Sequence, residues 1–303
     1  MSRSRRFSED YVLIIDPPIN EFSPNEWSII LKENDLHYTD PDRLRQSLFV
    51  GIPASLRGEI WTFISRGNRI HDDQYLILAE QSNSENETMI QKDLARTFPT
   101  IEMFKETEGP GQKGVLNILR AYSVFDEEIG YCQGMSFIVG LLLMNIKNPE
   151  LAFWTFVNIM VDKDWRSVFK TGTPKLIKML DTFAGDLQRS LGDVYEHIQK
   201  EGVEMTIFSW CFITLFICKA PLEFSVRIMD MFLCEGEQII FSSLLKMLSL
   251  KKEKILRKKF EELVIYFNGQ FVKECFDEFY ITTLLSPLGY VNGIDEEYEV
   301  LES

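Results

Sequence analysis

Residues Met205–Cys218 form the longest apolar run of the chain, fourteen residues held between Glu204 and Lys219. A bilayer-spanning helix needs about 20 apolar residues, so this run is too short to cross a membrane. It reads instead as a helix buried on every side, which requires enough neighbouring helices to surround it. A chain of 303 residues that is 45% apolar, with 23 Phe, 10 Tyr and 5 Trp, can supply that surround as one large domain or two lobes.

The neighbours are legible as helical patterns. Ser23-Pro24-Asn25-Glu26 is a helix start with Ser as N-cap, Pro at the first position and Glu at the third, followed by Trp27, Ile30 and Leu31. Asp40-Pro41 opens a second helix with Leu44 and Leu48 inward, closed by Gly51. Leu56, Ile60, Phe63 and Ile64 mark a third. Residues 82–87 are polar and read as a loop, and Gly109–Gly114 as another. Val115, Leu116, Ile118, Leu119 and Tyr122 then mark an amphipathic helix. Phe137–Ile146 is nearly all apolar and belongs in the centre. Thr173-Pro174 caps a long helix with Leu176, Ile177, Leu180, Phe183, Leu187 and Leu191 inward. Pro221 opens a helix that Gly236 closes, and Lys251–Phe267 reads as one more. Strand alternation is almost absent and no repeat of fixed period occurs. The expected architecture is all-α, with a dozen or more helices and a short N-terminal arm over residues 1–22 carrying an apolar patch at Val12–Ile15.

Composition narrows the function. A formal net charge of −14 argues against nucleic acid and against anionic membrane surfaces as the main partner. Five cysteines, with no Cys-x-x-Cys, signal neither a disulfide framework nor a zinc site, and suit a reducing, cytoplasmic setting. The basic N-terminus leads into no apolar signal region, Ser2 breaks the myristoylation pattern, and no prenylation cysteine ends the chain. The one dense basic run, Lys251–Lys259, reads as a solvated helix face. Gly109-Pro110-Gly111-Gln112-Lys113-Gly114 formally matches G-x-G-x-x-G. It follows no strand, contains Pro, and has Val115-Leu116 where a P-loop needs Lys-Ser/Thr. Cys132 has no evident base, and His37, His71 and His197 are scattered, so no thiol nucleophile is indicated.

Two stretches remain that could carry chemistry. Ile90, Asp93 and Arg96 recur every third residue, which on a helix places them within about a 120° arc. Pro99 disfavours helix at Phe98, so the helix should end near Thr97 with Arg96 in its last turn. In Gly130-Tyr131-Cys132-Gln133-Gly134-Met135, Tyr131 and Gln133 share a side only if the backbone is extended, which the flanking glycines permit. Arg57 and Trp61, at i and i+4, suit a structural cation–π or ion-pair site, with direct substrate contact the alternative. By themselves Arg96 reads as a surface arginine and Gln133 as a loop hydrogen-bonder.

Taken together these residues resemble a known family. Gly51-Ile52-Pro53…Leu56-Arg57-Gly58…Trp61, then Ile90-x-x-Asp93-x-x-Arg96-Thr97-Phe98-Pro99, then Gly130-Tyr131-Cys132-Gln133-Gly134-Met135 look like the three signature motifs of the TBC domain, in order and at fitting spacing. Ala121-Tyr122…Asp126, Phe208-Ser209-Trp210…Leu215-Phe216, Pro221-Leu222…Arg227-Ile228-Met229-Asp230 and Glu235-Gly236 fit as well. The resemblance covers about residues 46–300. It implies a two-lobed all-α domain at 46–303, preceded by an arm and leading helix at 1–45.

The resemblance further implies a GTPase-activating protein for a Rab-family small GTPase in its GTP form, active in vesicle trafficking. Arg96 would be the arginine finger and Gln133 the glutamine finger, both supplied in trans. Asp93 would orient Arg96 or pair with Arg57, Ile90 would anchor the ridge, and Tyr131 and Gly134 would shape the Gln133 loop. Arg57 and Trp61 join these as binding or orienting residues. The chain would need no cofactor of its own and have no independent enzymatic activity, since GTP and Mg²⁺ belong to the partner. The expected location is cytoplasmic, with peripheral recruitment to endomembranes left open. A TBC protein that binds a GTPase without catalysis, and a helical interaction protein with no GTPase partner, are the rival readings. The presence of both finger residues speaks against the first, and the absence of a repeat against a solenoid.

Overall fold

The computed structural model describes residues 21–33, 40–67, 74–81, 84–286 and 288. The expected apolar patch at 12–15 lies outside them. Every regular element among the described residues is helical, so the all-α reading stands.

The helix starts read from the sequence form as their capping chemistry dictates. At α1 (Pro24–Glu33) the Glu26 carboxylate accepts from the Ser23 N–H at 2.9 Å, and the Glu26 N–H donates to Ser23 Oγ at 3.3 Å. At α2 (Pro41–Val50) the Asp40 side chain accepts from the Asp42 N–H. The other end of α2 is closed by Gly51, whose N–H bonds the Ser47 carbonyl. Arg227 of the later helix Leu222–Glu235 donates to the carbonyls of Leu48, Phe49 and Val50, satisfying acceptors that a helix C-terminus leaves open.

A first group of helices follows: α3 (Arg57–Ile64), α4 (Gln74–Glu80), α5 (Ser84–Leu94), the short α6 (Glu102–Lys105), α7 (Pro110–Phe125), α8 (Met135–Asn145) and α9 (Pro149–Asp162). Helices α4, α5, α6, α8 and α9 all pack on α7, and α8 is buried along nearly its whole length, as its composition requires. The short α10 (Arg166–Phe169) leads to the second group: α11 (Pro174–Ser190), α12 (Gly192–Lys200), α13 (Ser209–Thr214), α14 (Leu222–Glu235), α15 (Gln238–Leu250), α16 (Lys252–Leu256), α17 (Phe260–Ile265), α18 (Phe271–Glu278) and α19 (Ile281–Leu285). The two groups share one continuous core, joined where α8 meets α13 and where α2 and α3 meet α14.

Five local expectations are corrected. Helix α5 starts at Ser84, inside the stretch read as a loop. Pro110 is the first residue of α7, so the glycine-rich motif lies mostly within the helix; Gly111 is there because a Cβ would stand 2.1 Å from the Met103 carbonyl oxygen. The run Met205–Cys218 is buried but not one helix. It forms a 3₁₀ turn at Met205–Phe208, then α13, then reverses at Leu215 and Phe216, whose φ values of 51° and 63° are tolerated because both side chains are fully buried. Ile177 on α11 faces outward, 53% exposed. The span Lys251–Phe267 breaks into α16 and α17 and then a π turn at Tyr266–Gln270. Glu262 reaches back to the Lys259 N–H and so begins a new helix.

The basic run is correspondingly not one solvated face. Lys251 is buried, with Nζ 2.5 Å from Glu278 and over the Phe279 ring. Lys252 pairs with Asp193, Lys254 with Glu274 and Lys259 with Glu201.

The junction of α2, α3 and α14 is organised by one carboxylate. Asp230 has no exposed surface; its Oδ1 accepts from Trp61 Nε1 at 2.7 Å and Arg57 Nε at 3.3 Å, while Arg227 Nε stands 3.5 Å from Oδ2. Burial pushes this carboxyl up to about 6, against the pull of Arg57, Trp61 and Arg227. Its folded-state affinity for a proton therefore exceeds that of the unfolded chain. The associated stability is fully present below the ordinary carboxylate range and is lost as pH rises through about 6. Asp230→Asn should flatten that part of the stability profile between pH 4 and 7. Asp230→Ala, which removes the counter-charge of Arg57 and Arg227 and the acceptor of the Trp61 indole N–H, should cost about 3–5 kcal/mol at pH 7 by urea unfolding.

Candidate functional site

The arginine segment begins on α5. Ile90 is fully buried and Asp93 is 7% exposed, so the inner face of the helix carries a carboxylate beside an apolar anchor. The helix stops at Leu94, three residues earlier than Pro99 suggested. The N–H groups of Arg96 and Thr97 bond the carbonyls of Asp93 and Leu94, three residues back, which tightens the chain into a turn. Phe98 then adopts φ 51°, which points its ring at Gly140 of α8 between Phe104 and Phe137. A Cβ at Gly140 would lie 2.9 Å from that ring. Packing of one aromatic side chain thus overrides the extended backbone that a following proline favours. Arg96 is left in the turn beyond the helix, its side chain 48% exposed and its Nη2 2.7 Å from Asp93 Oδ1.

The glutamine segment lies between α7 and α8. The Met135 N–H bonds the Cys132 carbonyl, and Gly134 has φ 103° and ψ −22°, the third position of a type II turn. Gln133 occupies the second position and is exposed. The extended stretch therefore ends at Cys132, and Tyr131 and Gln133 do not share a side: Tyr131 is 4% exposed and points inward. Gly134 also sits against α13, where a Cβ would meet Ile213 Cγ2 at 2.9 Å.

Two buried hydrogen bonds stitch the segments together. The Tyr131 hydroxyl donates to Asp93 Oδ2 at 2.5 Å, so the same carboxylate that holds Arg96 holds the tyrosine two residues before Gln133. Burial, then the Asp93 hydrogen bond and charge, raise the Tyr131 pKa far above its ordinary value, so it remains a neutral donor. The Thr97 hydroxyl donates to the Asp93 carbonyl and also bonds the Ser136 hydroxyl at 2.8 Å, tying the arginine turn to the first turn of α8. Of the sequence candidates, Ile90, Asp93, Arg96, Tyr131, Gln133 and Gly134 thus belong to one constellation. Arg57 and Trp61 instead meet at Asp230, and Asp93 does not pair with Arg57.

Asn86, Thr97 and Ser136 are contributors that the sequence reading passed over. Asn86 Oδ1 accepts the Tyr131 N–H at 3.2 Å, and its side chain fills the space beside Gly130, whose φ is 61°. The signal was present: Asn86, Ile90 and Asp93 are at i, i+4 and i+7, one face of a helix. Reading 82–87 as a loop hid it. Cys132 is half-buried, and burial raises its thiol pKa, which disfavours the thiolate.

What the fold and this constellation define is an all-helical domain that displays an arginine and a glutamine from two loops sharing one buried carboxylate. The Rab-GTPase-TBC domain model matches residues 54–256, and the chain belongs to that family. It is 37% identical over 222 residues to the Drosophila melanogaster ecotropic viral integration site 5 ortholog, spanning 73% of this chain and 27% of that protein. It is 33% identical over 250 residues to the Caenorhabditis elegans Rab GTPase-activating protein tbc-11, spanning 80% and 26%. The chain thus covers about a quarter of the length of these relatives. The crystal structure of the Chlamydomonas flagellar RabGAP TBC domain superimposes with a TM-score of 0.70 at 24% identity, covering 86% of this chain and 87% of that one. The Ypt/Rab-GAP domain of Gyp1p gives 0.69 at 19% identity, covering 87% and 95%. At these identities the structural likeness speaks for the fold.

Tyr131→Phe should keep the ring packing while leaving Asp93 Oδ2 without its donor. The expected cost is about 1–3 kcal/mol in urea unfolding, larger than for a phenol removed from an exposed site.

Proposed function

We propose that this chain stimulates GTP hydrolysis by a Rab-family small GTPase in its GTP form, with Arg96 and Gln133 acting in trans. The observation that carries the reading is the Asp93 carboxylate, bonded to Arg96 through one oxygen and to Tyr131 through the other. A guanidinium held this way is partly pre-oriented, yet its side chain remains about half exposed and within reach of a docked phosphate. Exposed Gln133, on a turn set by Gly134, can hold a water with its amide. Hydrolysis of GTP needs charge stabilised on the transferring phosphoryl group and a water held in line, and these two side chains supply one each. The family and the name of the nematode relative support the choice of partner.

In this reading GTP and Mg²⁺ arrive with the GTPase and the chain carries no cofactor. Residues 46–303 carry the activating domain in this reading, and the segment before it continues into the same core through Phe22, Trp27, Ile30 and Leu44. The expected site of action is cytoplasmic, with peripheral recruitment to endomembranes left open. No described helix is long and apolar enough to cross a membrane. Arg57 and Trp61 act in this reading through Asp230, at the junction of α3 and α14.

An arginine supplied in trans is worth about 10³–10⁵ in rate, roughly 4–7 kcal/mol. Arg96→Ala should lose most stimulation in single-turnover phosphate release while the chain stays folded, with a lowered unfolding midpoint because Asp93 loses its cation. Arg96→Lys should fail as well, because an ammonium lacks the planar fork that bridges two phosphate oxygens. Gln133→Ala should lose most stimulation, and a GTPase whose own switch glutamine is replaced by Leu should still be stimulated by the unaltered chain. Near-normal turnover with Arg96→Ala overturns the assignment. Loss on replacing the GTPase glutamine, with little loss from Gln133→Ala, returns the water-positioning role to the GTPase.

A further inference from the structure

The turn that presents Gln133 is held from a second side. Between α7 and Tyr131 the chain makes a closed loop at residues 126–130, and Asp126 is its hub. The Asp126 carbonyl accepts the N–H groups of Ile129 and Gly130, at 3.1 and 2.8 Å. Its carboxylate accepts the Tyr122 hydroxyl at 2.9 Å and two parallel bonds from Arg166, Nε to Oδ2 and Nη2 to Oδ1, both 2.9 Å. Arg166 Nη2 also reaches Glu128 Oε2 at 2.7 Å, and Lys170 Nζ reaches Glu128 Oε1 at 3.1 Å. The fork-on-carboxylate geometry fixes orientation as well as distance. One helical turn beyond Arg166, the Phe169 carbonyl lies 3.7 Å from Cys132 Sγ, the residue next to Gln133.

The short helix α10 that carries these contacts is itself anchored. Trp165 has no exposed surface and packs edge-on against Phe232 of α14, and Val168 is 1% exposed. The guanidinium of Arg166 is thus tied to the second group of helices, 40 residues away in sequence from the loop it grips. The asymmetry between the two fingers follows. Arg96 is braced inside its own segment by Asp93, whereas the loop leading to Gln133 is braced at Tyr131 by α5 and at Asp126 by α10.

We propose that Arg166 is a positioning residue for Gln133: through its paired bonds to Asp126 it sets where the 126–134 loop holds the glutamine amide. The inference rests on the proposed role of Gln133. Arg166 gives its Nε and Nη2 donors to Asp126 and Glu128 within the chain, so its loss is expected to act on the step after docking. A 1 Å displacement of a positioning group can cost about a hundredfold in rate.

The test is a double-mutant cycle in single-turnover phosphate release with the GTPase, measuring maximal rate and half-saturating concentration separately. Arg166→Ala should lower the maximal rate about tenfold or more, with half-saturation near that of the unaltered chain and the chain still folded by circular dichroism. Arg166→Lys, which can pair with the carboxylate but cannot fork onto it, should recover part of the rate. In a Gln133→Ala background Arg166→Ala should cost nothing further, since there is no amide left to place. An unchanged rate for Arg166→Ala, a change confined to half-saturation, or a full additional loss on top of Gln133→Ala overturns the proposal. If Gln133→Ala alone has no effect, the role proposed above for Gln133 fails first, and the two failures are told apart.

Discussion

A single carboxylate, that of Asp93, is the contact on which the functional face depends. Placed on the inner side of α5 with 7% exposure, it has to find partners for both oxygens or bear the cost of a desolvated charge. It finds them in two loops that are otherwise far apart in the chain, taking Arg96 on one oxygen and the Tyr131 hydroxyl on the other. Neither partner is redundant. The arginine supplies the opposite charge, and the neutral phenol supplies a donor that burial keeps protonated. The two exposed side chains that could act on a docked phosphate are therefore positioned by buried chemistry.

That arrangement needs a stiff floor, and α8 provides it. The helix is apolar nearly all round and is covered by α5, α7, α9 and α13. Its approach distances are set by residues without side chains. Gly140 admits the Phe98 ring, and Gly58 of α3 comes so close that a Cβ would stand 2.1 Å from the Asn145 carbonyl oxygen. Because interiors pack at crystal-like density, such contacts transmit position with little slack. The left-handed Phe98, an uncommon conformation for a bulky residue, is held by that packing. Asp230 plays a comparable part at the junction of α2, α3 and α14, where one buried carboxyl gathers Trp61, Arg57 and Arg227 and joins the two groups of helices.

Much of the local structure was legible from chain chemistry. The Ser23 and Asp40 caps, the Gly51 and Gly236 stops and the inward faces of α2, α7 and α8 all follow from rules that act over four or five residues. Misreadings occurred where tertiary contacts outweighed those rules. Ser84–Glu87 looks polar enough for a loop, yet it is helical because Asn86 and Glu87 are engaged from elsewhere, by Tyr131 and Arg120. The long apolar run bends at Leu215 and Phe216 because burial of both side chains outweighs the cost of their backbone conformation. Ile177 fits the inward period of α11 and still faces out.

The sequence by itself determined the helical class, most helix starts and stops, the family, and the identity of Arg96, Asp93, Tyr131 and Gln133 as one candidate set. These rest on periodicity, capping and motif order, which are properties of short stretches. Only the tertiary structure decided which partner each charged group takes. Asp93 was open to Arg96 or Arg57, and Arg57 to a cation–π contact or an ion pair; the fold gave Arg57 to Asp230 and left Asp93 to bridge the two loops. The bracing of the Gln133 loop by Arg166 was likewise invisible in the chain. The physical reason is common to all three. A charged side chain on a helix has several possible partners within its own segment, and the choice is made by burial, which is settled when distant helices close over it.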